Sequence, residues 1–167
     1  MATLLRGNEP RPPYQRESRG KVSKATHNRA AAVSFVGETS VTISSDSDIV
    51  KARQQGRRIA AEVGFGLTDM ALIATSISEL ARNIVRYARN GEIIIQPMTN
   101  SSRHGIRIIA RDEGPGIRDP EKALEIGFST SGGLGLGLPG VRRLMDEFEI
   151  QSKLEQGTTV SITKWRP

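Results

Sequence analysis

Apolar residues recur at three-and-four spacing through Leu67, Met70, Ala74, Ile77, Leu80 and Ala81, Ile84, Val85 and Ala88. That is the pattern of an amphipathic helix whose apolar stripe faces a core. Thr68 and Asp69 sit where its N-cap is expected, and Asn90-Gly91 close it in the manner of a left-handed cap. Ser76, Glu79, Asn83 and Arg86 form a polar stripe beside the apolar one. Residues three or four apart on a helix lie one above the other, so Glu79 and Asn83 point the same way. Taken alone, such a pair belongs to a solvated face.

The remaining elements follow from the same kind of pattern. Val41 and Ile43 alternate with Thr42 and Ser44, as in a strand entering a half-buried sheet. Ser45-Asp46-Ser47-Asp48 supplies N-cap chemistry for a helix to about Val63, with Ile49, Val50, Ile59, Ala60 and Val63 inward, and Gly64-Phe65-Gly66 breaks it. Ile93-Ile94-Ile95 reads as a buried strand, Thr99 to Gly105 as turn material, and Ile106 to Ala110 as the hairpin partner. Pro120 begins a short helix to about Ile126, and Ser129 to Gly133 is a flexible connector. A further helix starts near Leu136 to Pro139 and carries Val141, Leu144, Met145 and Phe148 inward. Glu149 to Leu154 and Thr158 to Trp165 alternate as two strands joined by Glu155-Gln156-Gly157. The economical assembly is an α/β sandwich of two layers, a mixed sheet with helices on one face.

Composition changes this picture at one end only. The chain has 167 residues and a net charge of +6, but residues 1–37 hold seven Lys/Arg and two Asp/Glu, leaving 17 and 16 for residues 38–167. Basicity therefore belongs to a tail with Pro10, Pro12 and Pro13 and little apolar periodicity, a composition expected to be disordered to about Ala30. Such a tail can hold nucleic acid, yet a solvated extension is the simpler reading. One domain, residues 38–167, is expected after it. Cysteine is absent, which excludes disulfides and thiolate metal sites, and no secretory h-region or long apolar run appears; a cytoplasmic protein is expected.

Two glycine-rich segments carry candidate chemistry. Gly135-Leu136-Gly137-Leu138-Pro139-Gly140 matches the dinucleotide fingerprint G-x-G-x-x-G, but that motif needs a strand just before it and a βαβ unit after it, and 27 residues follow Gly140. A phosphate lid fits better: Gly132, Gly133, Gly135 and Gly137 let backbone N–H groups approach an anion, and the following helix adds its positive end. In Asp112-Glu113-Gly114-Pro115-Gly116-Ile117 an aspartate at a strand end can accept from an exocyclic amine, while Gly114 and Gly116 allow a tight turn beneath a base. In isolation the same residues are equally a plain turn.

Glu79-Leu80-Ala81-Arg82-Asn83, the Asp112 segment and the Gly132 to Leu138 segment, in that order, resemble the N, G1 and G2 boxes of the GHKL (Bergerat-fold) superfamily of DNA gyrase, Hsp90, histidine kinases and MutL. The resemblance covers about residues 38–165. It implies ATP and Mg²⁺ as cofactors, with Asn83 donating its carboxamide oxygen to the metal and Asp112 reading the adenine amino group. Gly157-Thr158-Thr159 matches the family's G-T segment, with Thr158 the contact near adenine. Glu79, one turn before Asn83, is implied near the metal and the γ-phosphate, where a carboxylate can orient or deprotonate an attacking hydroxyl.

Absences narrow the group. The histidines are His27 in the tail and His104 in a turn, neither placed as a phosphoacceptor, and 167 residues do not hold the further domains of gyrase, Hsp90 or MutL. The sequence is similar to stand-alone serine/threonine kinases of the anti-sigma-factor type, and among them, from Phe128 to Phe148, to the switch kinases of the bacterial stressosome. That resemblance implies STAS-domain scaffold and antagonist proteins as substrates, and a PP2C-type phosphatase activated by the released kinase. The rival expectations are a non-catalytic module whose nucleotide occupancy switches partner affinity, as in an anti-sigma-type regulator, and a nucleic-acid binder acting through the tail.

Overall fold

The computed structural model describes residues 33–125 and 137–167. In chain order it holds β1 (Val33–Phe35), β2 (Thr39–Ile43), α1 (Asp46–Val63), α2 (Leu67–Asn83), a π-helical turn (Ile84–Ala88), β3 (Gly91–Asn100), β4 (Arg103–Asp112), α3 (Pro120–Ala123), α4 (Gly137–Leu144), β5 (Glu147–Lys153) and β6 (Gly157–Trp165).

Asp48 organises the start of α1. It takes the Lys51 ammonium at 2.9 Å, the Ser45 hydroxyl at 2.8 Å and the Ser44 hydroxyl and backbone N–H at 3.0 and 3.2 Å. These donors, Lys51 foremost, hold its carboxyl well below the usual carboxylate range. Gly64, in the left-handed region at φ 92°, ends the helix with its N–H on Ala60 and Ala61 carbonyls. Ile49, Ala52, Ile59 and Ala60 face inward as the helical period requires, whereas Val50, expected inward, falls outside that arc and is 41% exposed.

On α2 the N-cap position is Gly66 rather than Thr68 or Asp69, and Leu67, expected on the buried stripe, is 80% exposed at the first turn. Ile73, Ile77, Leu80 and Ala81 form its buried face. The helix does not end at Asn90-Gly91. It passes into the π turn, which closes at Arg89 with φ 69° and an N–H bond to the Ile84 carbonyl, and Gly91 opens β3 instead.

The sheet order is β1-β3-β4-β6-β5, with β2 also on β3. Every pairing among the described residues is antiparallel, so the expected mixed sheet is not what forms. The reason is connectivity: β3–β4 and β5–β6 are hairpins, and β2 and β3 are joined through a pair of helices, α1 and α2, that returns the chain antiparallel. The β3–β4 turn shrinks to Ser101-Ser102, because pairing continues to Asn100↔Arg103 through residues expected to be loop. β1, upstream of residue 38, pairs with the end of β3 (Phe35↔Met98), and β2 with its start (Ile43↔Gly91).

Helices α1 and α2 cover one face of this sheet, giving the two-layer α/β arrangement. Ile43, Ile93, Ile95, Ile106, Ile108 and Ile162 meet Ile59, Ile73, Ile77 and Leu80 in one cluster with Val141 and Met145 at the α4 end. Each fully buried aliphatic side chain contributes about 1.5–3 kcal/mol of transfer free energy. Phe148, expected on the last helix, lies on β5, and α3 spans only Pro120–Ala123. No helix among the described residues is long and apolar enough to cross a membrane.

Candidate nucleotide site

The covered face of the sheet changes character at one end. Ile93, Ala110, Val160 and Ile150 lie side by side across β3, β4, β6 and β5 and all join the core. Strand side chains alternate faces, so the residues two positions along point the same way. They are Gly91, Asp112, Thr158 and Ser152. A row of isoleucine, alanine and valine thus gives way to a carboxylate and two hydroxyls beside the C-terminal end of α2.

The loop after Asp112 is interlocked with the β5–β6 turn. Asp112 Oδ1 accepts the Gly114 N–H at 2.9 Å, and Oδ2 has no partner among the described residues. The Glu155 N–H reaches the Pro115 carbonyl at 2.8 Å and the Ile117 N–H reaches Ser152 Oγ at 2.8 Å. Gly116 and Gly157 sit at φ 72° and 88°, and a Cβ on either would come within 2.2 Å of the Lys153 carbonyl oxygen or 2.0 Å of that of Asp112. Only glycine permits both the turn and the approach.

On α2, Glu79 is 8% exposed. Its carboxylate accepts from the Arg82 guanidinium, one turn on, and its Oε2 accepts the Gly137 N–H at 3.2 Å. The first residue of α4 is therefore tied to the carboxylate on α2. Ser76, one turn before Glu79, is fully buried with no hydrogen-bond partner for its hydroxyl among the described residues. Asn83 ends α2 half-buried, one turn from Glu79 and without a partner among the described residues. Among them no group of three or more His, Cys, Asp or Glu could hold a metal ion.

Glu79 also forms part of the wall of a cavity of about 650 Å³ between α1 and α2, with Arg53 and Arg57 from α1 and Thr75, Ser78 and Arg82 from α2. Arg53 and Arg57 were not singled out from sequence, although their spacing puts them on one helix face. Ser152 was missed as well, because its partners are Ile117 in a loop 35 residues away and Thr158 on the next strand.

The structure thus places Asp112, Gly114, Gly116 and Thr158 together at the sheet end, and Glu79, Asn83 and Gly137 at the junction of α2 and α4. Gly132, Gly133 and Gly135 lie outside the described residues.

Residues 43–164 match the family model described as histidine kinase-like ATPase domain. The chain is 54% identical over 128 residues to the serine/threonine-protein kinase RsbT of Bacillus subtilis strain 168, covering 77% of this chain and 96% of that protein. It is 32% identical over 120 residues to the anti-sigma F factor of Caldanaerobacter subterraneus subsp. tengcongensis, covering 68% and 82% respectively. A solved structure of the RsbU and RsbW domains of a Mycobacterium tuberculosis protein aligns with TM-score 0.56 at 21% identity, over 79% of this chain and 34% of that one, and shares the fold.

Proposed function

The chain belongs to the histidine kinase-like ATPase domain family, and from that premise we propose that it is an ATP- and Mg²⁺-dependent protein serine/threonine kinase of a partner-switching stress pathway. The observation that carries the reading is the placement of a buried carboxylate, Glu79, and of Asn83, a carboxamide without a partner among the described residues, one turn apart on α2.

In this reading Asp112 and Thr158 hold the base, and Gly114 and Gly116 turn the chain beneath it. The N–H groups of Gly132, Gly133, Gly135 and Gly137 hold phosphates. Mg²⁺ suits a single protein oxygen donor, since it keeps several waters and takes phosphate oxygens for much of its shell. Asn83 would be that donor, and the bound ion would neutralise charge on the phosphates. Glu79 accepts the proton of an incoming Ser or Thr hydroxyl as its oxygen bonds to the γ-phosphorus and the bond to ADP breaks. Its position in the wall of the α1–α2 cavity gives that hydroxyl a path. Substrates are STAS-domain scaffold and antagonist proteins, the released kinase activates a PP2C-type phosphatase, and the setting is the cytoplasm.

The test is transfer of labelled γ-phosphate from Mg·ATP to a purified STAS protein, with the modified residue located by mass spectrometry. Stoichiometric label on one Ser or Thr is expected. ATP binding without transfer would instead make the chain a nucleotide-gated binding module. Nucleic-acid binding unchanged by deletion of residues 1–32, which spares β1, would set aside a role for the tail in holding nucleic acid.

A further inference from the structure

We propose that Ser152 is a specificity-determining positioning residue, which fixes the Thr158 hydroxyl as a hydrogen-bond acceptor and so tunes the pocket to a purine bearing a 6-amino group. The inference rests on the reading of Asp112 and Thr158 as the base contacts. Its basis is a proton count at one hydroxyl.

Ser152 Oγ has three neighbours: the Ile117 N–H at 2.8 Å, the Gly157 carbonyl oxygen at 3.2 Å and Thr158 Oγ1 at 2.8 Å. A serine hydroxyl has one proton and two lone pairs. The Ile117 N–H can only donate, which uses one lone pair. The Gly157 carbonyl can only accept, which uses the proton. What is left for Thr158 is the second lone pair, so Thr158 donates to Ser152 and turns its own lone pairs toward a ligand. Asp112, next to Thr158 in the sheet register, presents the free oxygen of a carboxylate, also an acceptor.

Two acceptors side by side suit the N–H donors of an amino group and oppose the lone pairs of a 6-oxo group. A site built to hydrogen-bond one group rejects an analogue that leaves its buried polar atoms unpaired. Ser152 touches no ligand in this arrangement. It acts through Thr158, and through the Ile117 N–H it also tethers the Asp112–Ile117 loop.

Calorimetry on the full chain with Mg·ATP and Mg·ITP separates this role from a merely structural one. Ser152→Ala frees the Thr158 proton to donate, so ATP affinity should fall about three- to tenfold, the worth of one net hydrogen bond, while ITP affinity falls less and the ATP/ITP ratio narrows. Ser152→Thr, which keeps the hydroxyl, should restore the ratio. Thr158→Val should narrow it similarly, and adding Ser152→Ala to Thr158→Val should change it little further. Equal weakening of both nucleotides by Ser152→Ala, with the ratio intact, overturns the proposal. If that variant does not fold, an unchanged ratio in Thr158→Val overturns it. A parent protein that binds ATP and ITP alike overturns the underlying assignment of Asp112 and Thr158, a result distinct from either.

Discussion

The two ends of the candidate site are built by different means. At the sheet end, Asp112, Thr158 and Ser152 sit on three paired strands, and two loops cross-brace them through the Glu155–Pro115 and Ile117–Ser152 bonds and the close approach of Gly116 and Gly157. At the helix end, Glu79 and Asn83 share one face of α2, and among the described residues α4 meets α2 through the buried Val141 and through a hydrogen bond at 3.2 Å from the Gly137 N–H to Glu79. Under the proposed function, base recognition needs fixed donors and acceptors, and a braced sheet end would provide them without rearrangement. In the same reading, phosphate binding and transfer need backbone that can change partners, and the Gly137 N–H, at the end of α4 away from the buried Val141, is placed to exchange the Glu79 carboxylate for a phosphate.

That contrast is broken most sharply at Glu79. Glu79→Gln keeps the shape and the acceptor for Gly137, so Mg·ATP binding should persist while phosphotransfer falls by about 10²- to 10⁴-fold in single-turnover assays. Turnover at the parent rate would remove Glu79 as the base. Asn83→Ala should show the opposite pattern, about tenfold weaker ATP binding in Mg²⁺ with little change in its absence, measured by calorimetry. Equal affinities of parent and variant in Mg²⁺ would take Asn83 out of the metal's shell.

The braced end is tested by Gly157→Ala. A Cβ there lies 2.0 Å from the Asp112 carbonyl oxygen on a backbone at φ 88°. Strain of about 1–3 kcal/mol should lower Tm by roughly 5 °C and weaken ATP binding with it. An unchanged Tm would show that the two loops yield, and that the sheet end is no more rigid than the helix end.

The smallest effect is at Asp48, in the first turn of α1. Its native carboxyl is held below its ordinary value of 3.8 by Lys51, Ser45 and Ser44. A depressed native value stabilises the fold fully above the ordinary value and is lost as pH falls through that range toward the native one. Asp48→Asn should therefore cause a slight loss of Tm at neutral pH that begins to shrink only as pH falls below 3.8 and keeps narrowing toward the lower native value in thermal melts. A constant difference between parent and variant across that range would mean the loss has another origin.

Much of the fold was legible in the sequence for identifiable reasons. The run of α1 from the Ser45–Asp48 cap to Gly64, the α2 stripe and the burial of Ile93 and Ile95 depend on spacing and local capping, which a chain carries in its order. Ser101-Ser102 was read as part of a longer turn because Asn100 and Arg103 look like loop residues until the opposite strand supplies their partners. The π turn after Asn83 was read as continuing helix and cap, since Ile84 and Val85 keep the apolar period across it.

For the site, sequence alone determined the order of the three boxes, the shared face of Glu79 and Asn83, and the glycines at 114 and 116. Spacing along one helix or one turn is local, and four residues of helix always bring side chains one above the other. Tertiary structure decided that Glu79 is buried rather than solvated, that its carboxylate meets Gly137 across 58 residues, and that Asp112, Thr158 and Ser152 form one row. Those facts depend on strand register and on which face a helix turns to the sheet. Both are settled by packing between segments distant in the chain, where no local pattern carries the information.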